Sequence, residues 1–419
     1  MASDDAGSAA PAPPIWAPLR IGAFRGLFIA ALTSNIGTWM QIVGAQWFLV
    51  ERHASATTVA LVQTASLSPT LILAVLAGAL ADRVDRRRLL MVLQVYAAVA
   101  AAVLTAVTVA GVLDAAMLLS LMFAIGCAAA LTTPAWQAIQ PELVPREQFP
   151  AAASLGGVAV DAARAVGPPI AGILVAAAGP EAVFAINAAS FVVVVAALVM
   201  WKRPPSIPVR REPLGQSVVV GTRYVRNSGV VRRILLRAAM FAFPVSALWA
   251  LLPVAASQHW HLRAIGYGAV LGTVGVGAVL GALVMSRLRT AYSANALLVL
   301  AALIDAAGLL AAAYLPLAPG VVLLLLSGVA WIATLTTLTV AAQLSLPDWV
   351  RARGLAMFLV VLIGSQALGS FVWGLVASHF GLSASLTASA VLLIAAAASQ
   401  GVLPLLPVTD EQPGASDLT

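Results

Sequence analysis

Apolar stretches of roughly 20 residues recur along the whole length of this chain, and no other feature restricts its fold so strongly. Each is long enough to cross the hydrocarbon core of a bilayer as one helix, at about 1.5 Å of rise per residue. In lipid a helix satisfies its own backbone hydrogen bonds, so an all-α membrane protein is expected. Twelve transmembrane helices are predicted, at about 24–50, 57–81, 89–110, 117–139, 151–178, 181–201, 234–257, 265–286, 294–315, 320–343, 354–378 and 382–406. Composition agrees: 61% of the residues are hydrophobic and 9% charged, whereas a soluble domain is about half apolar and a quarter charged.

The longest hydrophilic stretch, 202–233, follows the sixth span and divides the chain into two six-helix halves, 20–201 and 234–406. Residues 1–19, rich in Ala, Pro and Ser, read as a disordered cytoplasmic tail, with Asp4 and Asp5 where a signal peptide would be basic. Residues 202–233 read as a cytoplasmic linker and 407–419 as a second cytoplasmic tail. With the N-terminus inside, 20 of the 23 basic residues fall in the cytoplasm, Arg52 and Arg263 fall outside, and Arg164 lies within a span. This asymmetry predicts that both termini are cytoplasmic. It also turns the net charge of +7 into an orientation signal, not a sign of nucleic-acid binding.

The halves repeat one another. An offset of 202 positions brings Pro145 onto Pro347, Gly167 onto Gly369, Gly172 onto Gly374 and Gly179 onto Gly381. A parallel repeat of this kind predicts pseudo-symmetric halves with a binding site between them near the midplane.

Three ionisable residues are expected deep in the spans. Asp161 and Arg164 are three residues apart and share a helix face; Asp161 lies about 15 Å from the start of its span. A charge at that depth costs on the order of 2.5–3.5 kcal/mol, so both should face a wet cavity or each other. They read as a substrate or proton site, or as a pair that fixes helix packing. Asp305, about 16 Å into the ninth span, has no arginine in its own span, and a lone buried carboxylate suits a proton carrier. Asn35, Thr38, Gln41, Gln63, Asn187, Gln343 and Gln366 are candidates to line a cavity or to bond helices together. Trp39, Trp47, Trp249, Trp331 and Trp373 offer flat apolar surface to an aromatic substrate, or anchor span ends at the interface. The single cysteine, Cys127, reads as a packing residue. No phosphate-binding loop, catalytic group, cofactor site or metal site is predicted.

The loop after the second span runs Gly78-Ala79-Leu80-Ala81-Asp82-Arg83-Val84-Asp85-Arg86-Arg87-Arg88. It resembles the signature loop of the major facilitator superfamily, with Asp85 where that family usually has Gly. The fifth span, with Gly167, Pro168, Pro169 and Gly172, resembles the motif of that family's antiporters and exporters. Gly37-Thr38-Trp39-Met40-Gln41, Pro141-Glu142-Leu143-Val144-Pro145 and Arg351-Ala352-Arg353-Gly354 are similar to the branch holding the enterobactin exporter and related bacterial drug-efflux permeases.

This resemblance implies the major facilitator fold in a bacterial cytoplasmic (inner) membrane. It also implies a latch between the halves at Gly78, Asp82, Arg83, Arg86 and Arg87, against the alternatives of a solvated loop charge at Asp82 and topology or anionic-lipid contacts at the arginines. The expected function is secondary active, proton-coupled export of a small amphipathic molecule (a drug, siderophore or secondary metabolite) by alternating access. An importer or lipid-handling permease and a non-transporting sensor or scaffold are the alternatives. Substrate, protons and anionic lipids are the expected partners of a monomer.

Overall fold

A computed structural model describes residues 14–201 and 228–401, together with Pro404. Most of both expected tails and of the linker lie outside these residues, as do the side chains of Asp82 and Arg83.

The first four helices are α1 (Gly22–Glu51), α2 (Ala56–Arg83), α3 (Arg86–Val109) and α4 (Ala115–Leu143). The next stretch, Phe149–Met200, has 52 residues, about 78 Å of helix and more than twice the hydrocarbon core. Gly179 breaks it, with φ 77° and ψ 169°, a conformation that a side chain would strain. The limbs 149–178 and 180–200 are α5 and α6. The second half holds α7 (Gly229–Gln258), α8 (Ala264–Ala291), α9 (Ala294–Tyr314), α10 (Leu317–Ser345), α11 (Asp348–Phe380) and α12 (Leu382–Ala398).

Among the described residues, ten helices are long and apolar enough to cross a membrane, with α5 and α6 counted as one and the 17-residue α12 left out. Helix starts follow local chemistry. Side chains of Ser55, Asp85, Asp114 and Ser293 accept a backbone N–H from the first turns of α2, α3, α4 and α9. Ser228 does the same for α7, which therefore starts at Gly229 and shortens the linker expected to run to 233. The last expected span ends early too: α12 stops at Ala398 and a 3-10 turn, Ser399–Gly401, follows.

The backbone carries the repeat. Gly381 matches Gly179, with φ 91° and ψ 158° where α11 turns into α12. Pro145 (φ −57°, ψ 152°) and Pro347 (φ −58°, ψ 153°) precede α5 and α11 in the same conformation. A Cβ at Gly167 would lie 2.8 Å from Trp39 Cβ on α1, and one at Gly369 would meet Phe243 on α7. Large apolar side chains such as Ile72, Val92, Val109 and Leu283 point outward and are more than half exposed. A surface of that kind is stable only against lipid.

Candidate substrate site between the halves

The halves meet along two seams, α5 against α8 and α2 against α11, with α7 also touching α1 and α2. Named contacts run from one end of the bundle to its middle. On one seam they pass from Thr57, whose hydroxyl donates to Gly374 O at 3.0 Å, through Thr64, donating to Ala367 O at 3.1 Å, to Leu71 against Gly364. On the other they pass from Gly172, where a Cβ would lie 2.6 Å from Ala264 O, to Ala165 against Gly275.

The cores follow the same division. One apolar cluster crosses both halves at this end, joining Val43, Phe184, Leu251 and Tyr267. Toward the other end it is replaced by separate clusters, one around Leu90 and Leu155 in the first half and one around Leu298 and Phe358 in the second. The bundle is therefore closed at the end bearing the α1–α2 and α11–α12 turns. Among the described residues it parts at the end bearing the α2–α3 loop, where each core cluster stays within one half.

Arg164 sits where the shared core stops. Pro168 and Pro169 have no N–H, so the carbonyls of Arg164 and Ala165 lose their helical donors. Those carbonyls lie against Gly275 and Gly272 of α8, which have no side chains to hold them off. The helix-five motif thus brings α5 and α8 into backbone contact at Arg164 itself.

Three indoles from three helices surround its guanidinium: Trp39 of α1 at 5.3 Å, Trp249 of α7 at 5.6 Å and Trp331 of α10 at 5.8 Å. All are within cation–π range. The rings touch in series, Trp39 to Trp249 at 5.8 Å and Trp249 to Trp331 at 5.9 Å between centroids. Asp161 Oδ1 is 3.5 Å from Arg164 Nη1, an ion pair longer than a good charge-assisted hydrogen bond. Arg164 is 9% exposed. Among the described residues its Nε and Nη1 have no hydrogen-bond partner, nor does Trp331 Nε1. Asp161 and Arg164, expected on one face of their helix, lie within ion-pair distance of each other.

The remaining candidates divide. Asn187 donates to Gln41 Oε1 at 2.6 Å, and Gln41 Nε2 lies 3.3 Å from Met122 Sδ, so these amides bond helices inside the first half. Gln63 is buried; Asn35, Thr38 and Gln366 are partly exposed and Gln343 exposed. Asp305 is 1% exposed, in α9 beside Ser327; α9 packs on α10 and α12, away from the seams. Trp373 donates to Phe243 O at 2.9 Å within the second half.

At the signature loop, Asp82 and Arg83 lie outside the described side chains, and among the described residues nothing packs within 4 Å of where a Gly78 Cβ would stand. Arg86 pairs with Glu142 of α4 at 3.0 Å. Arg87 donates to Leu198 O at 2.7 Å and Val199 O at 2.9 Å, capping the last turn of α6. Asp85 accepts from Arg88 N at 2.9 Å.

Sequence reasoning missed Tyr267. Its hydroxyl donates to Gln46 Oε1 at 2.6 Å, Gln46 Nε2 donates to Trp249 O at 3.2 Å, and the Tyr267 ring stacks on Trp47 at 5.6 Å. These contacts tie the halves at the closed end. A tyrosine inside a span was itself the signal, since its hydroxyl needs a partner there.

A family described as transmembrane secretion effector matches residues 14–417. The Staphylococcus aureus staphyloferrin A transporter is 29% identical over 36% of this chain and 38% of its own length. The Mycobacterium tuberculosis multidrug efflux pump Tap is 29% identical over 60% of this chain and 64% of its own. The chain thus matches less than two thirds of either relative. The crystal structure of a bacterial homologue of the human lysosomal transporter Spinster superposes with a TM-score of 0.71, covering 91% of this chain and 96% of that one at 17% identity. At that identity the likeness concerns the fold.

Proposed function

Because this chain belongs to the transmembrane secretion effector family of the major facilitator superfamily, we propose that it is a secondary active exporter whose substrate binds at Arg164, Asp161, Trp39, Trp249 and Trp331. As a member of that family it is a membrane transporter for small molecules and not an enzyme. The observation that carries the export site is the cage itself: a buried charge surrounded by indoles from both halves, at the point where their shared core ends. A ligand there touches α1, α5, α7 and α10 together, so its binding depends on how the halves are set.

Basic loops put the parted end in the cytoplasm of a bacterial inner membrane, with both termini inside. The site then opens inward, and export requires rocking toward a state open outward. Small amphipathic molecules such as drugs, siderophores or secondary metabolites fit a site of indoles and charge. Asp161 is the carboxylate at the site and takes the coupling proton; Asp305 is second in line. Asp82 and Arg83, with Arg86 and Arg87, act at the cytoplasmic end, latching it in the outward-open state.

Reconstituted protein in proteoliposomes, with a pH gradient and no nucleotide, tests this reading. An amphipathic dye panel should include compounds that move uphill only while the gradient lasts, and an absence of gradient-driven flux contradicts it. Cysteines placed at 210 and 261 in a Cys127→Ser background should label from the cytoplasm and from outside, respectively; the reverse pattern contradicts the orientation.

A further inference from the structure

We propose that the molecule held at this site is an anion: a planar, largely apolar body bearing a carboxylate or equivalent oxyanion that Arg164 binds. This rests on the transport reading above and narrows its substrate.

The site has more donors than acceptors. Arg164 is nine-tenths buried, yet its Nε and Nη1 have no hydrogen-bond partner among the described residues, and neither does Trp331 Nε1 in the same cage. Indole faces attract the guanidinium through their π electrons but accept nothing in the plane of its N–H fork. Asp161, at 3.5 Å, is the carboxylate that pairs with Arg164 among the described residues, and it engages one edge of a group that carries five donors. A ligand that completes this site must bring acceptors, and a planar oxyanion matches the fork in two-point geometry. Its body then lies against Trp39, Trp249 and Trp331, which supply area and stacking but no acceptor. An organic cation would meet the reverse: a fixed buried charge of its own sign, which arginine cannot discharge by losing a proton. A second arginine at the pseudo-equivalent place is missing, since the repeat offset puts Gln366 opposite Arg164. The charged contact to the anion is therefore made from α5 and has no counterpart on α11.

Quenching of indole fluorescence in the purified full-length protein tests the proposal. The probes are two- and three-ring aromatic carboxylic acids, each paired with its neutral carboxamide, plus ethidium as a planar cation. The acids should bind at least about tenfold tighter than their amides. Arg164→Gln should remove that preference, and Arg164→Lys should keep part of it. Amides or ethidium binding as tightly as the acids, or no acid binding at all, overturns the proposal. The acid–amide comparison needs no variant, so a misfolded Arg164→Gln protein leaves the test intact. Flux into inside-out vesicles separates this failure from failure of the export reading. Ethidium accumulation that is indifferent to Arg164→Gln keeps export and removes the anion; no flux of acid or cation removes both.

Discussion

The two seams between the halves are built alike and charged differently. Gly172 admits α8 into α5, and Gly374 admits α2 into α11, where a Cβ would lie 2.6 Å from the Ala60 Cβ. One turn earlier, Gly167 and Gly369 admit α1 and α7. The turns that follow, at Gly179 and Gly381, share one left-handed conformation. Yet α5 carries Asp161 and Arg164 at the end of its seam, while the corresponding positions of α11 are Ile363 and Gln366. Packing must be kept in both halves because both seams close the same end. Charge need not be, and each additional charge in the membrane costs on the order of 2.5–3.5 kcal/mol. The scaffold is symmetric along its seams and asymmetric at the proposed site.

The largest expected difference concerns the proton. Asp161→Asn should abolish gradient-driven accumulation in proteoliposomes, whereas Ile363→Asn on the other seam should leave it. Equal effects would return Asp161 to a packing role. Next come the seam glycines, at which the two sides should behave alike. Gly172→Leu and Gly374→Leu should each prevent close approach and expose the closed end, read as faster labelling of a cysteine at 57 from outside. If only one does so, the seams are not mechanical equivalents. The smallest effect belongs to Tyr267→Phe. A hydrogen bond between membrane helices averages about 0.6 kcal/mol, about a threefold change in the open-to-closed ratio. A tenfold or larger change would make the Gln46–Tyr267 bond the main lock of the closed end.

Much of this architecture was legible because lipid imposes simple rules. Each span announces itself by apolar length, and the expected breaks after 178 and 378 fall where the chain turns through Gly179 and Gly381. Span ends were less legible. A helix does not stop where the apolar stretch does, so α4 runs on through Pro141 to Leu143 and α7 begins among the basic residues at Gly229. Within the site, the i,i+3 spacing revealed Asp161 and Arg164 together, because both lie on one helix. The indoles were visible as residues but not as a cage: Trp39, Trp249 and Trp331 belong to three helices, and only tertiary packing brings them to one guanidinium. The same holds for Arg86 with Glu142, and for Gln46 with Tyr267, which lie 56 and 221 positions apart. Charge complementarity alone could have joined Arg86 to several acids.

The proposed function puts transport chemistry on α5 and not on its repeat in α11. The most direct measurement is the initial rate of gradient-driven flux for Arg164→Gln and Gln366→Leu, each in proteoliposomes at matched amounts of folded protein. Arg164→Gln should lower the rate at least about tenfold through loss of its charge-assisted contacts, while Gln366→Leu should stay within about twofold. Flux that survives Arg164→Gln, or that falls equally in both variants, would contradict it.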